Sequence, residues 1–130
     1  MPEKTEMIVG IGIDMIEVER VRVKVNRNEA FRDAVFSPGE IAWCEQQVNK
    51  DENYAARFAA KEAFLKATGH GLALGYELSL IEVIHDAQGR PTLQLAGVYE
   101  QEAIKNNWRS IHLSMSHLKE VACAVVIIEQ

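Results

Sequence analysis

The sequence lacks the features of several specialised protein classes. It has only two cysteines, Cys44 and Cys123, which lie far apart in the 130-residue chain. Its N-terminal residues do not show the charged-then-apolar layout of a secretory signal, so we expect free thiols rather than a disulfide bridge. No apolar run approaches the ~20 residues that a membrane-spanning helix requires. We therefore expect a cytoplasmic protein without a membrane partner.

Several patterns of common enzyme and binding classes are also missing. The sequence has no catalytic triad, no nucleotide-binding glycine fingerprint and no zinc-ligand spacing. Its net charge of −5 argues against nucleic-acid binding, which requires a basic surface. The composition is 48% apolar and 25% charged, as is typical of globular proteins. We expect residues 1–130 to form a single domain with its own core.

One segment departs from the acidic balance of the chain. Residues 20–32, which we call the basic segment, contain a single acid, Glu29. Its five basic residues are Arg20, Arg22, Lys24, Arg27 and Arg32. A basic surface on an acidic protein would attract an acidic partner. A solvated face without a partner is the more common explanation of such a run.

The hydrophobic pattern predicts an α+β fold in which helices pack on a mainly antiparallel sheet. Strands are predicted at residues 7–16, 78–84, 92–96, 110–116 and 121–128, the last buried on both faces. Helices are predicted at residues 38–48, 51–68 and 98–107. Residues 17–25 fit both structures, because their alternation favours a strand and their charged residues favour a helix.

Two carboxylates stand out from this pattern. Asp14 follows Gly10 and Gly12 on one face of the first predicted strand, and we place it at the strand's end, next to open space. The glycines suggest that another group approaches the strand closely. Glu62 shares a helix face with Phe58 and Leu65, where a carboxylate is costly to bury unless it is paired or binds a metal. An ordinary salt bridge from Glu62 to the lysine four residues later would also explain it.

Together these acids suit a hard divalent cation. Mg²⁺ is typically held by one or two protein carboxylates, with phosphates and waters completing its shell. Three cations of the same helix, Arg57, Lys61 and Lys66, could neutralise phosphate charge. Acids, metal and cations in one place are typical of phosphoryl transfer, although the spacing alone is not specific.

The chain resembles the 4′-phosphopantetheinyl transferases, because it carries both signature blocks of that family. The blocks are GIGID at Gly10–Asp14 and RFAAKEAFLK at Arg57–Lys66. The match extends through Gly89-Arg90-Pro91 and Ser114–His117 and covers almost the whole chain, as in the short, single-domain branch of holo-(acyl-carrier-protein) synthases. The resemblance implies the fold of that family, with a helix at residues 17–25.

The resemblance also implies a reaction. A serine hydroxyl of apo acyl carrier protein attacks the β-phosphate of coenzyme A, the 4′-phosphopantetheine arm is transferred, and adenosine 3′,5′-bisphosphate leaves. In that reaction Asp14 and Glu62 would hold Mg²⁺ on the pyrophosphate. Glu62 would help to deprotonate the serine, and Lys66 would stabilise the leaving phosphate.

Further roles follow from the same resemblance. The positions that match coenzyme A contacts in the family are Arg57, Lys61, Lys66 and His117. Arg20 and Arg27 match positions that meet the acidic carrier protein. The short branch forms homotrimers with active sites between subunits. Leu118 stands where relatives often have a small polar residue, so one phosphate contact is missing here.

Two other functions fit parts of the pattern. A binding module would hold coenzyme A or a carrier domain without turnover, but the presence of both Asp14 and Glu62 disfavours it. A different Mg²⁺-dependent phosphate enzyme, such as a phosphatase or nuclease, is disfavoured by the net negative charge and by the lack of a hydrolase motif.

Overall fold

The fold is α+β, as the hydrophobic pattern predicts. The computed structural model describes residues 7–130, apart from the side chain of Leu72. The strands are β1 (Ile8–Glu17), β2 (Ile81–His85), β3 (Pro91–Leu95), β4 (Ser110–His117) and β5 (Val121–Glu129). The helices are α1 (Val18–Arg27), α2 (Glu29–Val35), α3 (Pro38–Glu45), α4 (Lys50–Thr68) and α5 (Gly97–Lys105). No helix within residues 7–130 is both long and apolar enough to cross a membrane.

The strands form two antiparallel sheets. One has the order β1-β5-β4, and the other is the β2-β3 hairpin. Helix α4 packs against β1 and β5, and the glycines of β1 permit this close approach. A Cβ atom on Gly12 would overlap the carbonyl oxygen of Ala63, and one on Gly10 would overlap that of Ala67. The close approach that Gly10 and Gly12 suggest is therefore that of α4 to β1.

The same face of β1 carries Asp14 beside α4. Because β1 continues to Glu17, the prediction that Asp14 ends its strand is wrong. Asp14 pairs with Ala124 of β5 and lies three residues before the end of β1. Its position is set by the strand-to-helix packing and not by a turn.

Residues 18–25 are helical and Glu17 ends β1, so the helix expected from the family resemblance is confirmed except at its first residue. Three valines at helical spacing, Val18, Val21 and Val25, are buried, whereas Arg20 and Arg27 are exposed. Packing of this apolar face outweighs the low helix propensity of valine. Helix α2 is an element that the hydrophobic pattern does not predict. Its sequence signal is Asn28, whose side chain accepts hydrogen bonds from the first-turn amides of the helix.

Other boundaries differ in small ways. Residues 78–80 form a 3₁₀ turn, so the predicted strand begins only at Ile81. The prediction that β5 is buried on both faces is wrong, because every second residue, including Val125 and Ile127, is only half-buried. The predicted start of α3 is confirmed by reciprocal hydrogen bonds between Ser37 and Glu40. Both cysteines are free, and burial raises the pKa of Cys44 to about 12.

A buried ion pair fixes α4 against α3 and β2. The Lys61 ammonium donates to Glu40 Oε1 at 2.7 Å, and also to the carbonyl oxygens of Leu78 and Ile81. The other oxygen, Glu40 Oε2, accepts from the backbone amide of Val83 at 2.9 Å. Both charged side chains are completely buried, and this burial lowers the pKa of Lys61. The pair therefore fixes the rotation of α4 about its axis.

Replacing Glu40 should destabilise the protein strongly. Glu40→Gln leaves the buried Lys61 ammonium without its counter-charge, and breaking a buried pair typically costs about 3–5 kcal/mol. We expect a loss of this size in the free energy of unfolding, measured by chemical denaturation at one protein concentration. Asp33→Asn, which removes an exposed ion pair with Arg32, is the control and should change stability little. Equal stability of the two variants would contradict the role of the buried pair.

Candidate active site

Asp14 and Glu62 line one cavity of about 260 Å³. Strand β1 supplies Asp14, and α4 supplies Glu62. The cavity wall also includes Arg20, Lys24, Phe31 and Phe58. The two acids that the sequence singles out are thus brought together, and basic and aromatic residues of α1, α2 and α4 surround them.

Each carboxylate has its own hydrogen-bond donor. Lys66 Nζ donates to Asp14 Oδ1 at 3.0 Å and to the carbonyl oxygen of Ile13 at 3.0 Å. Lys66 therefore pairs with Asp14 of β1, and the alternative of a salt bridge between Lys66 and Glu62 is wrong. Glu62 Oε2 instead accepts a hydrogen bond from the hydroxyl of Tyr76 at 2.8 Å. Partial burial and this bond to Glu62 raise the pKa of Tyr76, so its hydroxyl remains protonated at neutral pH.

The two carboxylates fit a magnesium ion. They offer only hard oxygen ligands, and the Lys66 ammonium already places a cation against Asp14. Within the part of the chain that the structure describes, no group of three or more His, Cys, Asp and Glu residues could hold a metal. A site with two carboxylates is typical of Mg²⁺, which retains waters and binds substrate phosphates. It is not typical of structural zinc, which takes four protein ligands.

Arg57 lies in a second cavity, on another side of α4. Its side chain is 1% exposed, and its guanidinium stacks 4.0 Å from the ring centroid of Trp43. Its Nε atom has no hydrogen-bond partner among residues 7–130, and burial lowers the pKa of Arg57. The cavity, of about 630 Å³, also borders His85 and Gly89. The cavity is also lined by the acid Glu82. Because an unpaired buried cation is costly, the Arg57 side of the cavity suits an anionic group.

The expectation that Lys61 contacts coenzyme A does not hold in this structure. An ammonium has three N–H groups, and Lys61 uses them on Glu40 and two backbone carbonyls. Its side chain is also fully buried. Lys61 therefore supports α4 from inside the protein and does not face a ligand.

His117 lies away from the carboxylates. Its Nδ1 atom is 2.7 Å from Glu52 Oε1 in the first turn of α4. Glu52 precedes Glu62 by ten residues, which corresponds to about 15 Å along a helix. The neighbouring Leu118 is exposed. Within one chain, His117, Arg57 and the acid pair therefore occupy three separate places.

The basic segment borders a groove beside the acid cavity. Arg20 and Arg27 are exposed and line this groove, of about 630 Å³, between α1 and α2. Three residues, Arg20, Lys24 and Phe31, line both the groove and the acid cavity. The groove is therefore continuous with the site that holds Asp14 and Glu62.

Sequence reasoning missed Tyr76. The residue lies in a loop without hydrophobic periodicity, and nothing in its spacing links it to Glu62. The only local signal is Gly75 before it, which has a φ of +89°. Its contact with Glu62 becomes visible only in the folded structure, where the loop packs against α4.

Comparisons with known proteins identify the family of the chain. A family model for the 4′-phosphopantetheinyl transferase superfamily matches residues 10–126. A holo-[acyl-carrier-protein] synthase of Solibacter usitatus is 44% identical over 124 residues, which cover 95% of this chain and 99% of that protein. One of Cytophaga hutchinsonii is 40% identical over 123 residues, covering 93% and 97%.

Solved structures show the same fold. The crystal structure of the Neisseria meningitidis holo-[acyl-carrier-protein] synthase matches with a TM-score of 0.85 and 31% identity, covering 95% of this chain and all of that one. The Bacillus anthracis synthase, solved in complex with CoA (3′,5′-ADP), matches with a TM-score of 0.76 and 35% identity, covering 95% and 97%. On the family match, its relatives and its fold, this chain belongs to the 4′-phosphopantetheinyl transferase superfamily.

Proposed function

We propose that this protein transfers the 4′-phosphopantetheine arm of coenzyme A to a serine of apo acyl carrier protein in a Mg²⁺-dependent reaction, releasing adenosine 3′,5′-bisphosphate. The observation that carries this proposal is the shared cavity of Asp14 and Glu62. The relatives and solved structures with the same fold are holo-[acyl-carrier-protein] synthases. The whole chain would act as one domain, and its cytoplasmic location stays a prediction.

Asp14 and Glu62 would hold the metal. When bound, Mg²⁺ would offset the negative charge of the pyrophosphate and make its phosphorus easier to attack. By the family resemblance, Glu62 would also help to deprotonate the incoming serine. Lys66 is more than half exposed, so its ammonium can turn from Asp14 toward the leaving phosphate.

Coenzyme A would contact this chain through Arg57, Lys66 and His117. The Nε of Arg57, which has no hydrogen-bond partner in the described part of the chain, supports this role, because a phosphate oxygen would satisfy the buried cation. The hairpin turn with Gly89 borders the same cavity. The Bacillus anthracis relative was solved with CoA (3′,5′-ADP), and the Helicobacter pylori relative was solved with coenzyme A.

The acyl carrier protein would dock on the basic segment. Arg20 and Arg27 would pair with its acidic surface, and the apolar floor of the groove includes Val23 and Phe31. Because Arg20 also lines the acid cavity, a carrier on this groove would bring its serine close to Glu62. Binding of an acidic carrier would explain why an acidic protein has this basic segment.

A homotrimer would complete the active site. In one chain, Arg57 and His117 lie apart from the acid pair, so a single copy does not surround a coenzyme A molecule. The outer face of β1 is apolar and strongly exposed, with exposures of 41% at Val9, 60% at Ile11, 63% at Ile13 and 66% at Met15. Such a patch is typical of a protein interface.

Transfer should require both Glu62 and the metal. We expect Glu62→Ala to lower the turnover of apo carrier protein by about 100-fold or more, while Glu100→Ala, an exposed glutamate on α5, leaves it unchanged. The measurement is the mass of the carrier protein after incubation with enzyme, coenzyme A and Mg²⁺, with and without a chelator. Full transfer by Glu62→Ala would contradict the assignment. Ligand binding without any product would favour the binding-module alternative.

Reversing the charge of the basic segment should weaken carrier binding selectively. For Arg20→Glu with Arg27→Glu, we expect the KM for carrier protein to rise by about tenfold or more, with a weaker dependence on salt and an unchanged KM for coenzyme A. Lys105→Glu with Arg109→Glu makes the same charge change on another exposed surface and should have little effect. An increase in the KM for coenzyme A alone would give the basic segment a different role.

The apolar face of β1 should control assembly. Ile13→Glu places a charge in the proposed interface, so we expect monomers by light scattering and a loss of coenzyme A turnover. Ile104→Glu makes the same change at an isoleucine of α5 that is 75% exposed, and it should leave the assembly intact. A monomeric unsubstituted protein with full activity would contradict the trimer.

A further inference from the structure

We infer that Tyr76 is a positioning residue for Glu62, in addition to the residues that the family resemblance supplies. This inference rests on the proposed function, because it concerns the carboxylate that would bind Mg²⁺. The Tyr76 hydroxyl donates to Glu62 Oε2 at 2.8 Å. Since that oxygen is occupied, Glu62 presents Oε1 to the cavity in one fixed orientation.

The loop that carries Tyr76 is held on both sides by one buried side chain. Tyr99 OH donates to the carbonyl oxygen of Gly75 at 3.2 Å and accepts from the amide of Glu77 at 2.9 Å. Tyr99 is fully buried, and its ring packs edge-on against Phe64, with the centroids 6.0 Å apart. Because Phe64 lies on α4 close to Glu62, the loop and the catalytic helix are joined through the core.

The backbone before Tyr76 requires a glycine. Gly75 has a φ of +89°, a conformation in which residues with a Cβ atom are strained. The turn brings the phenol of Tyr76 over α4, although the residue itself is about half exposed. An exposed tyrosine contributes little to the core, so its fixed backbone and its single bond to Glu62 indicate a role at the site and not in stability.

Because Tyr76 donates to Glu62, the two acids of the site have different hydrogen-bond donors. Lys66 binds Asp14, and Tyr76 binds Glu62, so each carboxylate is oriented by a separate group. Partners that orient metal ligands typically contribute 10–100-fold to metal affinity or activity. Without the hydroxyl, the Glu62 carboxylate would be free to rotate, and the metal would have to order it on binding.

The test compares Tyr76→Phe with a matched control. Tyr54 also donates its hydroxyl to a glutamate, Glu45 Oε2, at 2.8 Å, but it lies outside the site. The probe is Mn²⁺, titrated into each full-length protein with coenzyme A present and followed by the electron paramagnetic resonance of the free ion. For Tyr76→Phe, we expect the dissociation constant to rise about tenfold, the apparent KM for Mg²⁺ to rise with it, and the KM for coenzyme A and the thermal midpoint to stay unchanged. Tyr54→Phe should match the unsubstituted protein in metal binding.

The outcomes separate this inference from the proposed function. Tight Mn²⁺ binding by the unsubstituted protein, with an unchanged constant in Tyr76→Phe, would overturn the role of Tyr76 and leave the proposed function intact. Equal weakening in Tyr76→Phe and Tyr54→Phe would also overturn it, because the effect would then be general. No Mn²⁺ binding by the unsubstituted protein would overturn both.

Discussion

The close packing of α4 on β1 is the constraint on which the rest of the site depends. Ala67 lies at Gly10 and Ala63 lies at Gly12, so the helix runs antiparallel to the strand. One helical turn of four residues advances about 6 Å, and two residues of a strand advance about 6.8 Å. Asp14 is the next residue after Gly12 on the strand face that contacts α4. Glu62 immediately precedes Ala63, so both acids lie beside the contact between Gly12 and Ala63. A side chain at either glycine would separate the elements and move the two acids apart.

The charged residues of α4 fall into two groups, one with all its hydrogen bonds made inside the protein and one with donors still available. The inner pair of Lys61 and Glu40 is buried and saturated with hydrogen bonds, so it holds α4 in place. Two other cations retain free capacity. Lys66 is partly exposed, and the Nε of the buried Arg57 has no hydrogen-bond partner among residues 7–130. Lys61 and Glu62 are consecutive residues, yet the helix turns the first toward the core and the second toward the cavity. Neighbouring residues of one signature block therefore separate a stabilising ion pair from the carboxylate that we propose binds the metal.

Much of this arrangement could be predicted from the sequence, and the reasons for the exceptions are physical. The strand with Gly10 and Gly12, the capping box at Ser37 and the long α4 all have local signals. Helix α1 has valines that favour a strand, and only its packing decides the outcome. The roles of Lys61 and Tyr76 depend on partners distant in sequence, Glu40 and Glu62, which no periodicity connects. Long-range hydrogen bonds are the part of the site that a pattern of residues does not reveal.

The central claim is that Asp14 and Glu62 bind one metal ion on the pyrophosphate of coenzyme A. The most direct measurement is a crystal structure of the protein with coenzyme A and Mn²⁺, using the anomalous signal to locate the metal. The account predicts one peak within ligand distance of a carboxylate oxygen of each acid and of the pyrophosphate. A metal peak at other residues, with the pyrophosphate remote from both carboxylates, would contradict it.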